Sequence, residues 1–179
     1  MNTTPADVLA FWRDAGPTRW FRKDADFDHD FRTRFEAAHD AAAAGQLDGW
    51  TGTPDGALAL LILLDQFPRN AYRDTPRMFA TDPHALDIAA AAVDAGFDTR
   101  VAPDLRAFFY MPFMHSERLV DQQRCVALAT PLGGGTLQYA QVHLDAIERF
   151  GRFPHRNALL GRTTTPDEQR YLDDGGFAG

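Results

Sequence analysis

The sequence predicts an all-α domain of about eight or nine helices, arranged as antiparallel hairpins. Three observations carry this. Apolar residues recur at helical spacing, as in Phe27, Phe31 and Phe35 at i, i+4 and i+8. Capping residues, prolines and glycines bracket those segments where helices start and stop. No stretch alternates convincingly between apolar and polar residues, and no hairpin signal is present. All connections are short, which makes consecutive helices antiparallel neighbours.

Residues 6–13 form the first helix, with Thr4 as cap, Pro5 in the first turn and Gly16-Pro17 as the stop; Trp12, Trp20 and Phe21 are bulky anchors. Residues 26–44 form the second, ended by Gly45. After Trp50, Thr53-Pro54-Asp55 opens a third helix. Its stretch 57–67, ALALLILLDQF, is apolar all round, which places it at the centre of the domain, and Pro68 ends it. Asp65 near that end is disfavoured by the helix dipole by about 0.3–1 kcal/mol and calls for a cation: Arg69, or an arginine from 149–156. Thr81-Asp82-Pro83 opens a helix to Ala95, and residues 104–110 form another, broken by Pro112. Ser116 caps a helix to Ala129, which ends at Pro131 and the Gly133-Gly134-Gly135 loop. Residues 136–150 follow, then a turn at Gly151-Arg152-Phe153-Pro154 and a short helix. Thr165-Pro166-Asp167-Glu168 has the form of a capping box for a last helix to Asp173, and the Gly-rich tail is expected to fray.

At 179 residues the chain is expected to be a single domain, 1–179, large enough for a core without staples. Its net charge of −7 excludes the basic field that sequence-independent nucleic-acid or anionic-membrane binding needs. One cysteine, Cys125, rules out an intramolecular disulfide and suits a reducing compartment. With no signal-peptide layout and no bilayer-length apolar run, the expected location is the cytoplasm. Only Lys23 among the 18 basic residues is a lysine, and alanine is abundant. That bias resembles GC-rich coding and lowers the weight of each arginine.

The densest chemistry lies in 143–162, HLDAIERFGRFPHRNALLGR, where His143, Arg149, Arg152, His155, Arg156, Asn157 and Arg162 interleave with Phe150 and Phe153. Such a mix suits either a binding surface or a buried network that ties helices together. Upstream, His115, Leu119, Gln122 and Val126 share a helical face, and Glu117 and Asp121 lie at i, i+4 with Arg118 and Arg124 nearby. Those two acids read either as an acid/base pair or as a solvated ion-paired face. His143 sits on an apolar stripe, where a core histidine satisfied by hydrogen bonds is the plainer reading. No histidine has the close-spaced partner of a metal motif, so neither metal nor cofactor is expected. Cys125 reads as a small core residue, and no nucleophile motif is present.

The segments LLDQFPRN (63–70), FATDPHALDIA (79–89), FYMPFMHSE (109–117) with Asp121-Gln122, and RFGRFPHRNALLGR (149–162) resemble an uncharacterised bacterial family, catalogued as a domain of unknown function. Phe11-Trp12, Arg19-Trp20-Phe21 and Trp50 extend the resemblance over nearly the whole chain. It implies a tetratricopeptide-like superhelix of helical hairpins and no stated activity. The family's polar motif positions fall on Asp65, Gln66, Arg69, Asn70, His115, Glu117, Asp121, Gln122, His143, Arg149, Arg152, His155, Arg156, Asn157 and Arg162. Position 118 departs from it, with Arg where the family carries an acid.

Three functions are open at this level, and the first is expected, because polar groups this dense are costly to bury for stability alone. In the first, Asp65, Arg69, Asn70, Gln122, Arg149, Arg152, His155, Arg156, Asn157 and Arg162 line a pocket for an anionic small molecule or a peptide carboxylate. In the second, an acid/base enzyme uses His115, Glu117, Asp121 and His143. In the third, the polar groups lock the helices, and the molecule is a structural, protein-interaction module. Oligomeric state leaves no mark in the sequence.

Overall fold

The structure, a computed structural model, describes residues 3–179, and among these there is no strand: the protein is all-α. The described residues divide into two compact units, one ending at Pro112 and the other Phe113–Gly179.

The first unit opens with α1 (Pro5–Trp20), capped by Thr4, whose hydroxyl accepts from the Asp7 N–H while the Asp7 carboxylate accepts from the Thr4 N–H. The expected stop at Gly16-Pro17 is instead a kink. Gly16 takes φ 66° and lets the helix resume to Trp20. α2 (Ala25–Ala43) is capped by Asp24 and buries Phe27, Phe31 and Phe35 on one face, as the spacing predicts. α1 rests on α3 (Pro54–Leu61), and α2 on α4 (Phe67–Ala71). Around Trp12 and Phe31 an aromatic core gathers Trp20, Phe27, Phe67 and Phe108, and the Trp20 indole N–H donates to the Trp12 carbonyl at 2.6 Å.

The central helix is buried on every side, as its composition predicts. Its end differs from the expectation. Ile62–Gln66 is a π turn, with the Phe67 N–H reaching back to the Ile62 carbonyl, and the helix continues as α4 to Ala71. Pro68 therefore does not end it, and side chains meet the carbonyls that its missing N–H cannot serve. The Leu63 carbonyl accepts from His39 Nδ1 at 2.9 Å, and the Leu64 carbonyl from the Thr81 hydroxyl. α5 (Asp82–Asp94) packs back on α3. The expected helix over 104–110 is the 3₁₀ segment Pro103–Phe109.

α6 (Met111–His115) carries the boundary between the units. In the second unit α7 (Leu119–Ala129) and α8 (Gly134–Phe150) form a hairpin. α7 starts two residues later than the Ser116 cap predicts, because the Ser116 hydroxyl donates to Asp121 at 2.7 Å and accepts from the Arg118 N–H instead. Gly151, at φ 67°, ends α8 with its N–H on the Ile147 carbonyl. The chain then turns through Pro154–Arg156 to α9 (Pro166–Asp173), whose Thr165/Glu168 capping box forms as predicted. The tail is not frayed: the Phe177 ring lies 4.1 Å from that of His143, and its N–H donates to the Tyr171 hydroxyl.

Candidate functional site

Asp65, Arg69 and Asn70 belong to the first unit and are knotted into it. Arg69 grips both oxygens of Asp82 at 2.8 and 2.9 Å, donates to the Asp65 carbonyl, and lies 3.2 Å from the Asp65 carboxylate. Burial opposes its charge, but Asp65 and Asp82 outweigh that and raise its pKa. Asp65 thus has the cation the sequence calls for, though the helix runs on past it. The Asn70 amide donates to Asp28, which also takes two bonds from Arg73.

The rest of the polar motif lies in the second unit. Glu117 leaves the α6–α7 connection and receives three donors: Arg162 through both guanidinium arms, at 2.8 and 2.9 Å, and the Phe153 N–H at 2.9 Å. Burial pushes its pKa up, yet the Arg162 pair and the Phe153 N–H win, and it lies below the usual range. Arg152 binds both oxygens of Glu168 at 2.6 and 2.8 Å and the Thr163 carbonyl at 2.9 Å. The same carboxylate takes the Asn157 amide and the Thr165 N–H. The Arg152 hydrogen bond, more than the capping contacts, holds Glu168 down at about 2. Gln122, fully buried, spreads its amide over the carbonyls of Phe113, Met114 and Ser116, stapling the turn that precedes α7. Asp121 takes the Ser116 hydroxyl and lies 3.6 Å from Arg118.

The histidines do come together. The rings of His115 and His143 are 6.2 Å apart, and Phe177 sits against both His143 and His155, with Phe153 beside them. The Tyr139 carbonyl accepts from His143 Nδ1 at 2.7 Å, which fixes the proton on that nitrogen. Burial, then the neighbouring His115, lowers His143 to about 3; burial, then Arg156, lowers His155 to about 4. Both are neutral at pH 7, and values that low give little driving force for proton abstraction there. Among the described residues no group of three His, Cys, Asp or Glu side chains is placed to hold a metal ion. Burial raises the Cys125 thiol to about 12, which keeps it protonated. Arg156 is buried over the Phe153 ring. Arg149 is exposed, stacked on Phe150 and Tyr171 at the edge of a 400 Å³ cleft that Arg152 and Glu168 also line.

A family model for a bacterial protein of unknown function (DUF924) matches residues 8–176. The chain belongs to that family. It is similar to a solved structure, that of the protein of unknown function ATU0120 from Agrobacterium tumefaciens, at 53% identity and a TM-score of 0.94; the match covers 96% of this chain and 97% of that one. No curated protein matches.

Sequence reasoning missed the carboxylates that Arg69 and Arg152 bind in this DUF924 chain. Asp82 and Glu168 read there only as first-turn residues of capped helices. One signal was available for Glu168: an acid in a capping box already points back toward the preceding turn, which is where Arg152 and Asn157 lie. Phe177 carried no signal at all. Among the described residues, no helix is long and apolar enough to cross a membrane.

Proposed function

We propose that the polar motif is an internal lock and that the molecule works as a helical protein-interaction module through other surfaces. One observation carries this reading: Arg69, Arg152 and Arg162 each close fork-to-fork on a carboxylate of their own unit. A guanidinium already paired bidentately has spent the geometry that would recognise a ligand carboxylate or phosphate. The neutral, buried His143 and His155 fit the same reading, as packing groups beside Phe153 and Phe177.

A second reading, an anionic small molecule or peptide carboxylate, rests on Arg149, which is exposed over two rings and pairs with no carboxylate among the described residues. Thermal unfolding against a panel of phosphorylated metabolites and carboxylates separates the two. A ligand at 100 times its Kd adds about 2.7 kcal/mol, a rise of several degrees. The lock reading predicts no such rise. A rise that disappears in Arg149→Ala, with the fold intact, overturns it.

A further inference from the structure

We propose that the groove between α1 and α2 receives a basic, amphipathic segment of a protein partner; this rests on the interaction-module reading above and names its surface. Helices joined by a short loop ordinarily pack along each other. Here α1 lies on α3 and α2 on α4, and beside the rings through which α1 and α2 meet runs a trough of 880 Å³. That is near the top of the range of about 300–1,000 Å³ for clefts that enclose a ligand-sized body. The floor of the trough is aromatic. Half-buried Phe11 spans it, resting on the buried rings of Phe27, Phe31 and Phe35 at 5.3, 5.1 and 5.2 Å between centroids, with the Arg34 guanidinium 5.4 Å from its own ring.

The walls are acidic. Five aspartates line the trough against two arginines, Arg19 and Arg34. Three of the acids are engaged: Asp7 and Asp24 cap helices, and Asp30 pairs with Arg34 at 2.7 Å. Asp14 and Asp26 are exposed and make neither hydrogen bond nor ion pair among the described residues. An apolar floor under two unneutralised carboxylates fits aliphatic or aromatic side chains flanked by lysine or arginine. The chain's net charge of −7 steers such a partner inward and repels nucleic acid.

The test pans a displayed library of random peptides, about twelve residues long, against the whole protein and against the double variant Asp14→Lys/Asp26→Lys. Both positions are exposed, so the variant keeps the fold, which circular dichroism checks. The expected winners carry net positive charge and at least one large apolar residue. Their synthetic versions lose affinity about tenfold or more in the variant and weaken as salt rises from about 0.05 to about 0.3 M. Peptides without a basic preference, peptides that bind both proteins equally, or no selected peptide overturn the groove assignment. The anion panel reads the other question separately. A ligand found there overturns the interaction-module reading, whereas charge-indifferent peptides with a silent panel overturn the groove alone.

Discussion

His143 and His155 show how burial turns a motif residue into a pH sensor of stability. Both are neutral when folded, at about 3 and about 4, while an exposed histidine titrates near 6.5. The unfolded chain therefore binds protons below pH 6.5 that the folded chain refuses, and stability falls as pH drops from about 6.5 toward 4. By pH 5 each histidine subtracts on the order of 2 kcal/mol. Chemical denaturation at pH 7 and pH 5 measures this, and His143→Phe should flatten the dependence; an unchanged slope contradicts it. The carboxylates run the other way. Glu168, held at about 2, contributes stability above its unfolded value of 4.5 that is lost as pH falls toward 2. At this scale the sequence shows which polar side chains are present and leaves their partners open. Arg152 finds its partner in Glu168, reached because the chain doubles back after Gly151 and Pro154. Spacing on one helix cannot reveal a partner that a turn delivers.

Helix starts were legible wherever a side chain satisfies the backbone locally: Thr4, Thr53 and Thr165 cap α1, α3 and α9, each with proline in the first turn. Interruptions inside helices were not. The π turn at Ile62–Gln66 lies in an unbroken apolar run, and its supporting donors are tertiary: His39 binds the Leu63 carbonyl and Thr81 the Leu64 carbonyl. Thr81→Val removes one of these donors, and should cost about 1–3 kcal/mol, with Thr81→Ser restoring most of it. Urea denaturation decides this; a loss within about 0.3 kcal/mol means the turn does not depend on the hydroxyl. The tail was misread for a related reason. Three glycines and a phenylalanine read as fraying, but Phe177 finds His143, His155 and Phe153 as a ready apolar seat.

Across the whole molecule, the all-α class followed from patterning alone, whereas the division into two compact units did not. The boundary at Pro112 falls within α6, and no Gly- or Ser-rich linker marks it. Each unit carries its own share of the motif: Arg69 with Asp82 and Asp65 in the first, Glu117 with Arg162 and Arg152 with Glu168 in the second. That both units use the same device supports a lock over a pocket, since a pocket would leave some of these forks open. The double-mutant cycle of Glu117→Gln and Arg162→Gln, followed by urea denaturation, tests this most directly. The lock account predicts that each single variant loses on the order of 2 kcal/mol, with a coupling of about 1 kcal/mol or more between them. Single variants as stable as the parent, with no coupling, would contradict it and return these residues to a ligand.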